Sequence, residues 1–364
     1  MNTEAIHIPD LPDTTVAFAA RGQGYFPVIC ALDEDECVVA LRGGAGHIGL
    51  GGRLDLVRST DRGASWSAPV TIADSERDDR NPALGLGRDG SLVLAYHWQG
   101  NYDEKGAWAP GGSRVDTRVI YSHDRGQTWT EDAPLGFQAL NGQSPFGKIR
   151  TLRRGGAGGD EMFMPIYGGP TLSAPEVVVS GKASTTPCYL LRSRDGGRSW
   201  PDPILVAMGL NEADVLFLAD GDWLVAARSE DEAAIYTCRS SDHGQTWGEL
   251  QRVTEAKEHP PDLTLLSGGQ ILLNFGRRNP PFGVEGLLST DGGRTWGPRR
   301  CRFAGGLPGT DIGYPSTALM GDGRLVTVYY SAGSTAVPVD TFNAVEVYCR
   351  AVCYDEAALL GALV

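Results

Sequence analysis

Short apolar runs separated by polar turns repeat along the chain. Asn81 to Leu86 and Leu92 to His97 are two such runs, and Arg-Asp-Gly stands in the turn between them. Runs of this length joined by a Gly-containing turn are typical of β-hairpins. The same unit recurs along the sequence at Phe26 to Leu41, Met162 to Tyr167, Val215 to Arg228, Leu263 to Phe275 and Tyr314 to Tyr330. The pattern therefore predicts six similar β-units.

The first five units are each followed by the motif Ser-x-Asp-x-Gly-x-(Ser/Thr)-Trp. The copies begin at Ser59, Ser122, Ser193, Ser240 and Ser289. An Asp can accept hydrogen bonds from the backbone amides that follow it, Gly permits positive φ, and Trp covers the turn with apolar area. We expect each copy to be a scaffold turn that does not contact substrate. Repeated units of this kind cannot bury their apolar faces alone and must stack.

The sixth unit is followed by a predicted strand, Ala344 to Tyr354, without the motif. We expect it to take the early strand Thr14 to Ala19 as its outer edge, which closes the ring and leaves no free repeat end. The fold class predicted is all-β, a six-bladed β-propeller forming a single domain over residues 1–364. A short helix is expected around Glu356 to Leu360, and the Gly-rich stretches Gly100 to Ser113 and Arg153 to Gly159 are expected to be loops.

Composition narrows the possible partners. The formal net charge of −13 disfavours nucleic acid and anionic membranes, although a local basic cluster can still bind an anionic substrate. The odd number of cysteines, seven, and the lack of a signal-like or long apolar segment lead us to expect a cytoplasmic protein. No nucleotide or metal motif is visible, so no cofactor is expected. The sequence does not fix the oligomeric state.

Polar residues at the ends of the inner strands are the strongest site candidates, because these ends meet at the central channel of a propeller. Glu212 opens the strand of unit four and Arg228 ends its hairpin partner, Arg277 and Arg278 stand at the equivalent end in unit five, and Tyr314 opens unit six. Arginine forks suit a carboxylate ligand, and a phenol beside a carboxylate can be made nucleophilic. Salt bridges at the rim are the alternative explanation for the arginines.

The five motifs and these residues resemble the sialidase (neuraminidase) superfamily, whose Asp boxes join the third and fourth strands of propeller blades. The resemblance covers nearly the whole chain and implies a carbohydrate substrate. It implies that Tyr314 is the nucleophile and Glu212 its activating base, the Tyr-nucleophile exception among retaining glycosidases. It further implies that Arg228 and either Arg277 or Arg278 bind a carboxylate.

Blade one departs from the family. Tyr25-Phe26-Pro27 stands where sialidases have Arg-Ile-Pro, so Tyr25 occupies the position of an arginine. His47 stands where the family has its acid/base Asp, and histidine can also exchange protons near neutral pH. Arg42 or Arg53, close by in sequence, can replace the missing arginine from another direction.

A second polar cluster, Asp78-Asp79-Arg80-Asn81-Pro82, opens blade two and should face the same channel as His47. Asp78 or Asp79 can orient His47 or an arginine, and Arg80 can contact an acidic substrate. A turn capped by Asp before Pro82 explains the cluster equally well. Three residues that follow are candidates for lining a sugar subsite: His97, Trp98 and Tyr102.

Three functions fit these observations. The first is an exo-acting, sialidase-like glycoside hydrolase that uses Tyr314, Glu212 and His47 on an acidic sugar. The second is a propeller hydrolase or lyase on a uronic-acid glycan, which the changes in blade one favour over strict sialic acid specificity. The third is a non-catalytic glycan-binding propeller, which has no need for an activated phenol.

Overall fold

Six sheets, each with four main antiparallel strands, surround a central channel in the computed structural model of the protein. The structure describes residues 5–100, 102–107, 109, 115–136, 141–153, 159–169, 177–179, 182–184, 186–333 and 346–363. Each sheet has four main strands, as the sequence pattern predicts, so the six-bladed propeller is confirmed.

The blades follow one another in chain order around the channel. From the channel outward, blade 1 contains Tyr25–Ala31, Cys37–Gly43, Arg53–Ser59 and Val70–Ala73, and blade 2 contains Asp78–Leu86, Leu92–Gln99, Val115–Ser122 and Ala133–Pro134. Blade 3 contains Asn141–Pro145, Glu161–Gly169, Pro187–Ser193 and Asp202–Met208, and blade 4 contains Leu210–Phe217, Trp223–Ser229, Ile235–Ser240 and Gln251–Arg252. Blade 5 contains Glu258–Leu265, Ile271–Arg277, Gly283–Ser289 and Arg300–Gly305, and blade 6 contains Ile312–Leu319, Arg324–Ala332, Val347–Asp355 and Thr15–Arg21.

Shorter elements complete the described chain. The additional strands are Ile6–His7, Gly147–Lys148, Arg150–Leu152, and the pair Val177–Val179 and Lys182–Ser184. Two 3₁₀ turns, Ile8–Asp10 and Gly321–Gly323, and the α-helix Glu356–Leu363 are also present. In the described part of the chain, no helix is both long and apolar enough to span a bilayer.

The ring closes as expected. Thr15–Arg21 pairs antiparallel with Val347–Asp355, with Thr15 opposite Cys353 and Arg21 opposite Tyr348. The first residues of the predicted strand Ala344 to Tyr354 lie outside the described residues, as do parts of the predicted loops Gly100 to Ser113 and Arg153 to Gly159. The C-terminal helix begins at the predicted residue, Glu356, and extends to Leu363.

The Asp boxes form the predicted turns between the third and fourth strands of blades 1 to 5. In the fourth copy, Asp242 accepts hydrogen bonds from the Thr246 amide at 2.8 Å and hydroxyl at 2.6 Å. The Ser240 hydroxyl donates to Asp242 and accepts from the Gly244 amide, both at 2.8 Å. Gly244 has a φ of 83°, and a Cβ built there would lie 3.0 Å from the Trp223 ring, so the turn requires glycine.

The Asp boxes lie at the opposite end of the channel from the candidate site. Strands alternate in direction within a blade, so the end at which the third strand finishes is also the end at which the innermost strand finishes. The site candidates lie where innermost strands begin. This separation agrees with the expectation that no Asp-box residue contacts substrate.

The innermost strand of blade 3, Asn141–Pro145, is absent from the sequence-based prediction. Its sequence, Asn-Gly-Gln-Ser-Pro, has no apolar alternation. The chain after it leaves blade 3 and pairs Gly147 and Lys148 in parallel with Ala83 and Leu84 of blade 2 before it returns. Pairing with two neighbouring blades, and not hydrophobic patterning, sets the path of this segment.

That crossing segment carries two cations into the centre of the channel. Lys148 lies 2.5 Å from Asp262 and donates to the Thr317 carbonyl at 2.6 Å. Arg150 makes two hydrogen bonds to Asp214, at 3.0 and 2.7 Å. This ionic cluster ties the innermost strands of blades 4, 5 and 6 to the crossing segment.

Replacing Lys148 with Met is expected to lower the free energy of unfolding by about 3 kcal/mol or more, because it leaves Asp262 buried without its closest cation. Urea unfolding followed by tryptophan fluorescence measures this change. The matched control is Arg88→Met, since Arg88 is 74% exposed and lies 3.9 Å from its ion-pair partner, Asp160. Equal stability of the two variants would contradict a structural role for the cluster.

Candidate functional site

Every innermost strand shifts register through a bulge near its first residue. The shifts lie between Tyr25 and Val28, Arg80 and Ala83, Asn141 and Ser144, Leu210 and Ala213, Glu258 and Pro261, and Gly313 and Ser316. Bulges re-aim side chains and are common beside functional sites. Three bulge residues that precede proline, Phe26, Asn81 and Tyr314, have φ values of 53°, 48° and 48°.

Three of the predicted residues meet at one end of the channel. The Tyr314 hydroxyl donates a hydrogen bond to Oε1 of Glu212, although 102 residues separate them in sequence. Arg228 donates to the other carboxylate oxygen, Oε2, at 2.9 Å. Glu212 is therefore held between a phenol from blade 6 and a guanidinium from the neighbouring strand of its own blade.

The electrostatics of this group follow from burial. Burial raises the pKa of Tyr314 well above its usual value, and Glu212 raises it further, while Arg278 and Arg228 act in the opposite direction. Burial also acts to lower the pKa of Arg228, but Glu212 outweighs it and the pKa stays raised. Tyr314 is thus a protonated phenol at rest, with a carboxylate placed to receive its proton.

Arg277, which ends the second strand of blade 5, and Arg278, which follows it, have different environments. Arg277 lies 3.8 Å from Glu258 and 3.4 Å from Glu285, in a network that includes Arg300. Arg278 lies with its guanidinium 5.5 Å from the centre of the Tyr314 ring. Its Nε and Nη2 are buried, without a hydrogen-bond partner among the described residues. Of the two, Arg278 is therefore the one that faces the Tyr314 site.

His47, from the blade 1 loop, lies beside the aromatic ring of Phe26, which packs against that of Tyr314. Its Nδ1 lies 2.7 Å from Oδ1 of Asp311, an oxygen that also accepts a hydrogen bond from Tyr330 at 2.6 Å. Its ring packs edge-on at 4.9 Å from Phe26, and Phe26 lies 4.9 Å from Tyr314. Burial lowers the pKa of His47, Asp311 acts to raise it, and Arg80 and Arg278 lower it further.

Arg42 is fully buried and fixes the loop that carries His47. Its guanidinium donates to Asp78, to the carbonyls of Ala45 and Gly46, and to that of Gly49. Asp78 also accepts hydrogen bonds from the Tyr102 hydroxyl and the Gly49 amide. Asp78 thus orients an arginine, one of the two roles expected for it.

The remaining predicted residues lie in varied surroundings. Arg53 is held at 3.1 Å by Asp55 of its own strand and is partly exposed. Asp79 accepts hydrogen bonds from the amide and hydroxyl of Ser75, and burial raises its pKa to about 6. These contacts tie Asp79, the second residue of its strand, to Ser75 in the turn that precedes the strand.

Tyr25 packs within the aromatic group beneath the site. Its ring lies 5.2 Å from Tyr330 and 5.8 Å from His47. Burial, together with Asp311, raises its pKa to about 12. Tyr25 therefore supports the His47 and Asp311 pair with a neutral ring.

The three residues predicted to line a sugar subsite each contact other protein groups. His97 is buried, with Nδ1 3.0 Å from the Ser144 hydroxyl. Trp98 stacks with the guanidinium of Arg118 at 4.1 Å. Both are engaged by protein groups of blades 2 and 3, and Tyr102 is engaged by Asp78.

Two site residues, Asp311 and His259, carry no signal in the sequence that marks them. His259 is 3% exposed, lies 4.0 Å from Glu212 and has Nδ1 without a hydrogen-bond partner among the described residues. Burial lowers its pKa well below the usual value, and Arg278 and Arg228 add to this, so the imidazole is neutral. Across the described chain, no three of His, Cys, Asp and Glu are grouped closely enough to hold a metal ion.

Comparison with known families agrees with this architecture. The family model described as BNR repeat-like domain matches residues 53–328, about three quarters of the chain. The chain belongs to the BNR repeat-like family. Comparison of this BNR repeat-like protein with curated proteins finds no match.

Solved structures similar to this BNR repeat-like protein include sialidases. A protein of unknown function from Dyadobacter fermentans is 19% identical with a TM-score of 0.73, covering 95% of this chain and 98% of that one. The Hadza microbial sialidase Hz136 is 16% identical with a TM-score of 0.68, covering 94% and 66%. A Trypanosoma rangeli sialidase in complex with sialic acid is 13% identical with a TM-score of 0.66, covering 98% and 61%.

These likenesses establish the fold. This BNR repeat-like protein has the same propeller fold as these sialidase structures, in agreement with its Asp boxes. This chain spans less than two thirds of the length of the Trypanosoma rangeli chain and about two thirds of the Hadza microbial one. Function belongs to the site and not to the fold, so it must follow from the residues of the site.

Proposed function

We propose that the protein is an exo-acting glycoside hydrolase of sialidase type whose substrate ends in a sugar with an acidic group. The contact that carries the proposal is the hydrogen bond from the Tyr314 hydroxyl to Glu212, itself bound by Arg228. A carboxylate paired with a phenol at the mouth of a channel is a nucleophile with its base. A purely glycan-binding propeller does not require this pairing.

The acidic group is assigned to the arginines of the site. Arg228 and Arg278 each have a buried Nε without a partner among the described residues. Buried guanidinium donors without partners are costly, and a carboxylate that accepts them supplies strong, charge-assisted hydrogen bonds. Arg277 and Arg53 are assigned to scaffold ion pairs, and Arg42 to fixing the His47 loop.

The first chemical step forms a bond between the Tyr314 oxygen and the anomeric carbon. The phenolic proton passes to Glu212, and the bond from the anomeric carbon to the aglycone oxygen breaks. His47, protonated and hydrogen-bonded to Asp311, gives a proton from Nε2 to that oxygen. Arg278 and Arg228 stabilise the negative charge that develops on the Tyr314 oxygen.

The second step returns the enzyme to its starting state. Neutral His47 takes a proton from water, whose oxygen attacks the anomeric carbon. The bond to Tyr314 breaks, and the phenolate regains its proton from Glu212. The sugar leaves with the configuration it had in the substrate, because two displacements have occurred.

A substrate panel tests the proposal. Release of the aryl group is measured for an aryl α-sialoside, aryl glucuronides and neutral aryl glycosides, beside oligosaccharides that contain uronic acid. Hydrolysis of an acidic glycoside and not of its neutral counterparts is expected. Absorbance from an unsaturated uronate would identify a lyase instead. No turnover of any substrate in the panel would favour a glycan-binding propeller without catalysis.

Replacing Asp311 with Asn should shift the pH profile of hydrolysis to lower pH. The carboxylate favours the imidazolium form of His47, so its loss lowers the pKa of His47 further, and the acid form is lost at lower pH. A shift of about one pH unit is expected in the limb of kcat/KM that falls as pH rises.

The comparison variant is Tyr330→Phe, which removes one hydrogen bond to Asp311 but keeps the carboxylate beside His47. In this variant the limb of kcat/KM that falls as pH rises should shift less than it does in Asp311→Asn. An unchanged profile in Asp311→Asn would show that His47 and Asp311 do not act together.

A further inference from the structure

We propose that His259 is a positioning residue for Glu212, and that its Nδ1–H donates a hydrogen bond to Oε2 of Glu212 while Arg228 also binds the acidic group of the substrate. The inference rests on the proposed function and deepens it, because it names the group that holds the base when its arginine is shared with the sugar. In this role His259 contacts no reacting atom and acts through Glu212.

The close approach of blades 5 and 6 fixes the position of His259. It lies in the bulge between Glu258 and Pro261, at the start of the innermost strand of blade 5. A Cβ built on Gly276 would lie 2.9 Å from the His259 carbonyl oxygen and 3.0 Å from Cα of Gly313. Glycine at these two positions therefore lets the His259 backbone lie against the start of the strand that carries Tyr314.

The His259 side chain is buried and its bonding is incomplete. It is 4% exposed, and its Nδ1 has no hydrogen-bond partner among the described residues. Glu258, the residue before it, is held by Arg300 at 2.6 and 2.9 Å. A buried polar atom without a partner is rare and costs free energy. Nδ1 of His259 lies 4.0 Å from Oε2 of Glu212, about 1 Å beyond hydrogen-bond length, so a small movement of either side chain joins them.

The charges around His259 make it a hydrogen-bond donor and a poor base. Burial, Arg278 and Arg228 all lower its pKa, so the imidazole is neutral and carries one N–H. With that proton on Nδ1, the ring stabilises the carboxylate of Glu212 without placing a further full positive charge beside it. A cation at this place would stabilise the carboxylate more strongly and weaken Glu212 as the base that takes the proton of Tyr314.

The two phenols that face Glu212 do not supply this hydrogen bond. Tyr314 donates to the other oxygen, Oε1, and gives up that proton in the first step of the proposed mechanism. Burial and Glu212 raise the pKa of Tyr167 of blade 3, against the effect of Arg228 and Arg80, so Tyr167 stays a neutral phenol. Among the described hydrogen bonds, the one to Oε2 of Glu212 comes from Arg228.

Arg228 has to be shared once an acidic substrate binds. Its Nη1 donates to Oε2 of Glu212 at 2.9 Å, and its Nε is buried without a partner among the described residues. An anionic group on the substrate competes with Glu212 for the same guanidinium. A carboxylate oxygen accepts two hydrogen bonds, so Oε2 has room for Nδ1 of His259 beside Arg228. The second donor keeps Glu212 ionised and directed towards Tyr314 while the sugar is bound.

The pH profile of kcat/KM on methyl α-sialoside and methyl glucuronide tests this role. The methyl leaving group needs a proton from His47, so the limb that rises with pH reports Glu212 and the limb that falls reports His47. His259→Phe keeps a ring but has no N–H. His259→Asn places an amide nitrogen where Nδ1 lies, and His259→Gln places one where Nε2 lies. The control is His123→Phe, because His123 is exposed and bound to Ser91.

The rising limb should move about one pH unit higher in His259→Phe and His259→Gln. Without the donor the carboxylate form of Glu212 is less favoured, so a higher pH is needed to form it. In His259→Asn the limb should move less than half as far. The falling limb should keep its wild-type position in all three variants, and His123→Phe should have the wild-type profile. A merely structural role for His259 would not separate the two limbs or the two amides.

Wild-type rising limbs in folded His259→Phe and His259→Gln, or equal shifts in His259→Asn and His259→Gln, would overturn the role of Nδ1. The proposed function would still stand, because hydrolysis of the acidic glycoside continues. If His259→Phe does not fold, the two amide variants still decide. Failure of the wild type to hydrolyse any acidic glycoside would overturn the proposed function and the role of His259 with it.

Discussion

Replacing Tyr314 with Phe should lower kcat about 10⁴-fold or more for every acidic glycoside that the wild type hydrolyses, because the nucleophile is removed. Phenylalanine preserves the buried ring and its contacts with Phe26, and Glu212 keeps its hydrogen bond from Arg228. Binding of the sugar should therefore change far less than turnover. Steady-state kinetics and titration calorimetry on the same preparation measure the two effects separately.

The matched control is Tyr354→Phe, another buried tyrosine of blade 6. Its hydroxyl contacts Thr327 at 2.9 Å within the sheet, away from the channel mouth. The control should lose stability but keep kcat. Turnover by Tyr314→Phe within about 10-fold of the wild type, a difference of about 1.4 kcal/mol in the barrier, would remove Tyr314 from the mechanism.

Replacing His47 with Ala should lower kcat about 10²- to 10⁴-fold for a substrate with a poor leaving group, the range for loss of a general acid. An aryl glycoside such as a p-nitrophenyl glycoside leaves without a proton, so its first step should be affected much less. Rates are compared for methyl and p-nitrophenyl glycosides of the sugar that the substrate panel identifies.

His123→Ala is the control, because His123 is exposed and bound to Ser91 at 2.8 Å, outside the channel. It should hydrolyse both glycosides at the wild-type rate. An equal loss on both glycosides in His47→Ala would show that His47 does not protonate the leaving group in the first step.

The sequence predicts the scaffold well because short sequence motifs, repeated from blade to blade, specify its turns and hairpins. Each Asp box contains, within eight residues, the groups that form its hydrogen bonds and the glycine that its turn requires. Each hairpin is marked by two short apolar runs with a polar turn between them. Even the closing strand, Thr15–Arg21, follows from the sixth blade's missing edge. The polar innermost strand of blade 3, Asn141–Pro145, lacks such a local signal and cannot be predicted in the same way.

The site depends on contacts between distant residues, and about these the sequence says less. Resemblance points to Glu212 and Tyr314, but Asp311 meets His47 across 264 residues and no local pattern marks it. Arg277 and Arg278 are adjacent and chemically identical, so only the positions of Glu258 and Glu285 distinguish them. Asp78 and Arg42 are separate site candidates in the sequence, whereas in the structure the carboxylate of Asp78 and the guanidinium of Arg42 bind each other.

The proposed mechanism requires a covalent bond between Tyr314 and the sugar. A glycosyl fluoride that carries a second fluorine on the carbon beside the anomeric centre slows the second step, because fluorine destabilises the positive charge of its transition state. The protein is incubated with the sialosyl and glucuronosyl forms of this reagent, digested, and analysed by mass spectrometry. We expect one fluorosugar on the peptide that contains Tyr314 and none on that peptide in Tyr314→Phe. Inactivation with the label on another residue, or release of sugar with no labelled protein at any time, would contradict it.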